Sequence, residues 1–243
     1  MEFLFSARDF IFSPPWFIGK DLVIDAISTA ILFLIALYAF SFHKVDMDGR
    51  KRYITTSTAF LLLSMSYLIR TITYYFVYFT AFEQNKIESI LVTTDIIASN
   101  HALFYSSVLL FRFLALSGFY LLFLLYFRRL DLMTKLLIWY LILVSLYLSF
   151  LEPFVYNLTA FMFLAGITVH HIQNMTRYKC RSTKMITVSF IILAITQLVL
   201  SLKGVDVRFY AAAKMIQMVG YGLLLITFAI MKKNGKRQDR HNL

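Results

Sequence analysis

Five ionisable side chains stand inside or at the edge of long apolar runs: Asp25, Arg70, Arg112, Glu152 and Lys214. Charge is costly in hydrocarbon, so such residues pair with one another, face a wet cavity, or handle an ion or ligand. Their spacing places them at one depth. At about 1.5 Å per helical residue, Arg70 lies about 27 Å from Arg52, Arg112 about 24 Å from Arg128, and Lys214 about 27 Å from Lys232. Asp25 and Glu152 stand at comparable distances from Lys44 and Lys135. Three cations against two anions in one layer suit an anionic or polar ligand. Neighbouring polar residues extend the layer. Tyr210, Lys214, Gln217 and Tyr221 follow i, i+4, i+7, i+11 and so share one helical face. Ser66, Arg70 and Tyr74 share another, and Gln197 lies somewhat deeper.

A plainer chemistry accounts for part of this layer. Asp25, Glu152 and Lys214 stand near span ends, where long side chains reach water. Asp25 and Arg70 suit a structural ion pair inside a bundle. Interhelical hydrogen bonds contribute about 0.6 kcal/mol each on average. Arg70 and Arg112 fit the plain account less well, because the uncharged segments Thr71 to Phe82 and Ala102 to Phe111 continue beyond them.

The elements that must position these residues follow from composition. The 243 residues are 60% hydrophobic, 17% aromatic and 15% charged, with mean hydropathy +0.71. A soluble domain carries about 25% charged residues. Seven runs are long enough to cross a bilayer as helices: Leu22 to Phe42, Ile54 to Phe79, Leu103 to Phe127, Leu136 to Leu151, Phe154 to Ile172, Met185 to Leu202 and Phe209 to Met231. Backbone groups in lipid must be paired within the segment, which selects helices. The expected fold is an all-α, integral membrane bundle of seven transmembrane helices.

About sixteen of the 24 Lys and Arg residues fall after spans one, three, five and seven, which puts the N-terminus outside and the C-terminus inside. The net charge of +11 then reflects membrane insertion, and a nucleic-acid partner is not expected. Residues 1–243 read as one transmembrane domain in the lipid bilayer, expected in the cell membrane. Residues 1–20 form an aromatic outer interfacial segment, with Phe3, Phe5, Phe10, Phe12, Trp16 and Phe17, and lack the pattern of a signal peptide. Glu83 to Asn100 suits a short outer surface helix, and 232–243 a basic cytoplasmic tail. No segment between spans exceeds roughly twenty residues, too few for a soluble domain.

Enzymatic signatures are absent. No H-E-x-x-H, G-x-S-x-G, P-loop or G-x-G-x-x-G is present, and no nucleophile–base pair stands out, so the reading leans away from an enzyme. A single Cys, Cys180, allows neither an internal disulfide nor a Cys-based metal site. His101 and the His170–His171 pair fall at opposite ends of their spans and cannot share one iron; the pair suits the inner interface. No cofactor or metal is expected. Asn157-Leu158-Thr159 fits a glycosylation sequon but lies inside span five.

Spans one to three and five to seven run in matching directions, so a three-plus-one-plus-three parallel repeat is expected. At one offset Thr29-Ala30 and Phe33-Leu34 align with Thr159-Ala160 and Phe163-Leu164, and Phe60 to Leu63 aligns with Phe190 to Leu193. At another, Gly118-Phe119 aligns with Gly220-Tyr221 and Arg112 with Lys214. This plan is similar to that of sugar exporters, although Pro14, Pro15 and Pro153 all lie outside the span interiors where those proteins carry prolines. The run Val219-Gly220-Tyr221-Gly222-Leu223, with seven spans and an outside N-terminus, resembles the microbial rhodopsins. In that family the retinal lysine directly precedes such a valine; here the position is Met218. Lys214 stands one turn earlier, where the family commonly carries an acidic counterion, and the proline and tryptophan of its sixth helix have no counterpart between Met185 and Leu202.

Three functions remain in view. The first is a sensor or receptor-like protein binding a small anionic or polar ligand through Asp25, Arg70, Arg112, Glu152, Gln197, Tyr210, Lys214, Gln217 and Tyr221. The second is a transporter of a small solute, which needs a polar path inward, whereas Leu121 to Phe127 and Leu223 to Ile230 are nearly all apolar. The third is an accessory subunit whose charged layer orders helices or meets a membrane-protein partner.

Overall fold

The computed structural model describes residues 13–17, 19–42, 50–83, 101–127, 130–177 and 181–241. Among the described residues, seven α-helices carry the fold: α1 (Lys20–Phe42), α2 (Arg50–Glu83), α3 (His101–Tyr126), α4 (Leu132–Leu151), α5 (Phe154–Arg177), α6 (Arg181–Ser201) and α7 (Arg208–His241). Each is long and apolar enough to cross a membrane. The protein is an all-α seven-helix bundle, and its apolar outer surface fits a bilayer. The outer surface segment expected at Glu83 to Asn100 lies, beyond Glu83, outside the described residues.

The helices run past the limits read from hydropathy. α2 and α7 have 34 residues each, about 51 Å at about 1.5 Å per residue, against a hydrocarbon core of about 30 Å. Their ends therefore stand in the interface or in water. The basic stretch from Lys232 continues α7 to His241 instead of forming a separate tail; Lys, Arg and Gln are good helix formers. α4 begins three residues before Lys135, after Asp131, whose carboxylate accepts from the Thr134 hydroxyl. That bond holds the Asp131 carboxyl below its ordinary pKa.

The packing forms a ring of six helices with one outside. α1 packs on α2 and α7, α3 on α2 and α5, and α6 on α5 and α7. α4 packs against α3 and α5, and its Leu132, Met133, Leu137, Tyr140 and Tyr147 face outward. Exchanging α1, α2 and α3 with α5, α6 and α7 preserves every neighbour in the ring, as a three-plus-one-plus-three plan requires.

Burial along the helices fixes the register between the halves. In α2, Ala59, Phe60, Leu63, Ser64, Ser66 and Tyr67 face inward; in α6, Ser189, Phe190, Leu193, Ala194, Thr196 and Gln197 do so with the same spacing. Arg112, Ala115, Phe119 and Leu122 of α3 match Lys214, Gln217, Tyr221 and Leu224 of α7. The two glycines of this pair make equivalent contacts. A Cβ on Gly118 would stand 2.8 Å from Leu63 Cγ, and one on Gly220 would stand 2.9 Å from Leu193 Cδ2. Leu63 and Leu193 themselves occupy matched positions.

The alignment of α1 with α5 needs correction. Pairing Phe33-Leu34 with Phe163-Leu164 sets residues 46% and 42% exposed against residues 6% and 0% exposed. Burial instead matches Asp25, Ser28, Leu32, Ile35 and Ala36 with Asn157, Ala160, Leu164, Ile167 and Thr168. The first pairing follows residue letters, and Leu and Phe serve lipid-facing and core-facing positions alike in a membrane helix.

A continuous apolar core, including Leu32, Ile35, Leu116, Leu164, Ile167 and Leu224, fills the ring beneath the polar layer. At the polar-layer end of the bundle, Phe17 is a second departure from expectation. It sits in a 3₁₀ turn (Pro15–Phe17) and is buried beside Ile24, Leu200 and Tyr210, so it plugs the bundle instead of lying in the interface. Gly19, with φ of 81°, turns the chain from that plug into α1. Residues 1–12 lie outside the described residues. His171, expected at the inner interface, is buried and stacks on Phe190 with ring centroids 5.1 Å apart.

Candidate functional site

The polar layer lies at the end of the bundle opposite Lys51, Arg52, Lys184 and Lys232. It forms where α1, α5 and α7 begin and where α2 and α6 approach their ends. Polar side chains in a bilayer turn into the bundle because hydrocarbon offers them no partner. The layer divides into two matched sets.

The first set joins α1, α2 and α7. Asp25, one turn into α1, is fully buried. Its carboxylate accepts from Lys214 Nζ and lies 3.2 Å from Arg70 Nε. Arg70 Nη2 donates to the Tyr210 hydroxyl at 2.9 Å. The two cations also sit over aromatic faces, with Arg70 Cζ 5.3 Å from the Tyr74 ring centroid and Lys214 Nζ 5.7 Å from that of Tyr210. Attraction of this kind lowers the cost of a desolvated charge. One turn deeper, Gln217 donates to the Tyr67 hydroxyl, and the Tyr67 and Tyr221 oxygens lie 3.1 Å apart. Removing two charges from water costs several kcal/mol per ion, which only close pairing offsets. Here one carboxylate meets two cations.

The second set joins α3, α4, α5 and α6. Arg112 is 4% exposed. Its Nη1 donates to Ser149 O at 2.7 Å and to Ser149 Oγ at 3.0 Å, both on α4. Arg112 Nε has no hydrogen-bond partner among the described residues. Asn157, which matches Asp25 by burial, donates from Nδ2 to Leu200 O at 3.2 Å. Gln197, which matches Tyr67, is 4% exposed and its Oε1 has no hydrogen-bond partner among the described residues. The positions matching Gln217 and Tyr221 are Ala115 and Phe119, so nothing polar stands there to meet Gln197.

A cavity of about 50 Å³ opens between these sets. It is lined by Arg70, Arg112 and Lys203, by the polar groups of Tyr67, Asn157, Gln197 and Tyr210, and by apolar Val108, Phe111 and Leu200. No Asp or Glu is among its described lining residues. A single buried water needs about 10–15 Å³ of such space, so the cavity holds a few waters or one small ion.

Of the residues named from sequence, Arg70, Arg112, Gln197 and Tyr210 line the cavity. Asp25 and Lys214 stand behind it as the ion pair, and Gln217 and Tyr221 lie beneath in the hydroxyl–amide cluster. Glu152 does not join them. It caps the C-terminus of α4 in an extended conformation, and its side chain is exposed. At the Glu152–Pro153 turn its charge stays hydrated, which is its cheaper state. Pro153 lines the cavity in its place.

Sequence reasoning missed Asp21, Tyr67, Tyr156, Asn157, Ser149 and Lys203. Asp21 is buried near the start of α1, and its Oδ1 accepts from Leu22 N at 2.9 Å. Tyr67 stands three residues before Arg70 and so shares its face, a signal available in the sequence. Lys203 reads as a loop cation, yet the 3₁₀ turn after α6 (Leu202–Gly204) brings it to the cavity. Among the described residues, no group of three His, Cys, Asp or Glu side chains converges to hold a metal ion. No family model, curated protein or solved structure matches the chain.

Proposed function

We propose that this integral membrane protein is a receptor-like binding protein for a small anion, held in the cavity within the six-helix ring. The observation that carries the reading is Arg112: a guanidinium 4% exposed, with a carbonyl and a hydroxyl as partners but no carboxylate among the described residues, in the wall of a cavity shared with Arg70 and Lys203. A buried cation of this kind favours an anion beside it. By the positive-inside rule the cavity faces the outer side of the cell membrane. The apolar core beneath it supports binding over passage. The likeness to microbial rhodopsins lends only its seven-helix receptor-like plan, since Met218 offers no amine to retinal.

The test is thermal melting of detergent-solubilised protein against small inorganic and organic anions at constant ionic strength. At least one should raise the melting midpoint by several degrees, and Arg112→Gln should remove that rise. No rise with any anion would overturn the reading.

One observation favours a second reading, a carrier. Two three-helix units with matched neighbours can rock about a site between them. Movement of the stabilising anion into sealed proteoliposomes would select the carrier; binding without movement would select the receptor.

A further inference from the structure

The two halves of the polar layer specify what the cavity holds. Matched burial sets Asp25 opposite Asn157, Lys214 opposite Arg112, and Tyr67 opposite Gln197. In the first half the carboxylate belongs to the chain: Asp25 takes Lys214 and Arg70. In the second half the cation is retained and the carboxylate is replaced by a carboxamide, whose Nδ2 is engaged with Leu200 O. One donor there, Arg112 Nε, is buried without a hydrogen-bond partner among the described residues, and Arg112 lines the cavity; the unpartnered Gln197 Oε1 in the same wall is an acceptor and calls for a donor such as a water. We infer that the second half is a subsite for the carboxylate group of a small monocarboxylate ligand, seated against Arg112 beside Asn157. There it takes the place that Asp25 fills in the first half. This inference rests on the anion-binding reading and names its ligand class.

The chemistry of the wall agrees. Arg112 spends Nη1 on Ser149, which leaves the guanidinium edge that carries Nε. Such an edge matches the two oxygens of a carboxylate. At the Arg112 subsite itself, where Arg70 is taken up by Asp25 and the Tyr210 hydroxyl, a phosphate or sulfate presents more oxygens and more charge than that one edge satisfies. The cavity of about 50 Å³ admits a group of a few heavy atoms, and Val108, Phe111 and Leu200 give a short alkyl tail an apolar wall.

The probes are sodium acetate, propionate, sulfate and phosphate, each against chloride at matched ionic strength, with melting of the full chain in detergent as the readout. Acetate and propionate should raise the midpoint of the wild type by a few degrees, and sulfate and phosphate should not. Asn157→Asp installs the carboxylate beside Arg112. It should melt above the wild type without any ligand, and its acetate shift should vanish. A wild type stabilised by sulfate or phosphate but not by acetate, with the effect lost in Arg112→Gln, would overturn the carboxylate subsite and leave the anion reading standing. So would an Asn157→Asp protein that keeps the full acetate shift. If Asn157→Asp does not fold, the anion ranking of the wild type decides by itself. No shift with any of the four probes overturns the subsite, and the anion reading falls only if the wider anion panel is also silent.

Discussion

In the first half of the bundle a buried carboxylate meets two cations; at the matched place in the second half a carboxamide stands, and the cation meets a carbonyl and a hydroxyl. The backbone frame and the burial pattern are shared, so the difference lies in a few side chains: Asp25 against Asn157, Arg70 against Leu200, Gln217 against Ala115, and Tyr221 against Phe119. A charge in low dielectric needs a partner from somewhere. The first half supplies it from the chain and ties α1, α2 and α7 together. The second half leaves a donor and an acceptor atom buried without hydrogen-bond partners among the described residues, on side chains that line a cavity. Within a duplicated frame, one copy then serves the fold and the other is available to a ligand.

The largest expected effect comes from breaking the closed half. Asp25→Ala leaves Arg70 and Lys214 buried and facing each other without their common anion. Removing one partner of a buried ion pair costs about 3–5 kcal/mol. The folded fraction, followed by thermal melting in detergent, should fall sharply, and the additional change Lys214→Met should restore part of it. A variant that melts like the wild type would mean the cluster is hydrated and contributes little.

The frame itself is tested next. Gly118→Ala drives a methyl into Leu63 and within 3.0 Å of the Ala59 carbonyl oxygen, and Gly220→Ala drives one into Leu193. Overpacking of this kind costs about 1–3 kcal/mol. Both variants should lose stability, Gly118→Ala at least as much, because a backbone atom yields less than a side chain. Gly222→Ala meets nothing within 4 Å and should melt like the wild type. Unequal behaviour, with one of the pair harmless, would break the equivalence of the halves.

The seven spans were legible because apolar runs of bilayer length have no other use for their backbone groups. The polar layer was legible for the same reason: Arg70, Arg112, Gln197, Tyr210 and Lys214 are conspicuous against Leu and Phe, and lipid drives them inward. The register between α1 and α5 was not. Phe33 and Phe163 are the same letter on opposite sides of a helix surface, one toward lipid and one toward the core. Asn157 hides in a sequon, and its meaning appears only beside Arg112. Glu152 carries a charge at the right depth, yet the chain turns there and leaves it in water.

A finer comparison uses the two amides. Gln217 bonds the Tyr67 hydroxyl, whereas Gln197 Oε1 has no such bond to lose. Gln217→Leu should cost about 0.5–1.5 kcal/mol, the net value of one hydrogen bond. Gln197→Leu should cost nothing in ligand-free protein, and removing a buried acceptor without a partner can stabilise it. Equal losses in the two variants, measured by chemical unfolding in mixed micelles, would show that the open half is already satisfied.

The smallest effect concerns the tie between Arg112 and the outlying helix α4. Ser149→Ala removes the Oγ acceptor at 3.0 Å but leaves the Ser149 carbonyl at 2.7 Å. It also removes the bond from Ser149 Oγ to the Leu146 carbonyl, a local contact that the helix replaces at little cost. Side-chain hydrogen bonds between membrane helices average about 0.6 kcal/mol, so the melting midpoint should fall only slightly. Arg112 would then have one more donor direction to offer, and the stabilisation by acetate should hold or grow. A loss as large as that of Asp25→Ala would give the second half the same closed, structural character as the first, with Ser149 in the role of Asp25.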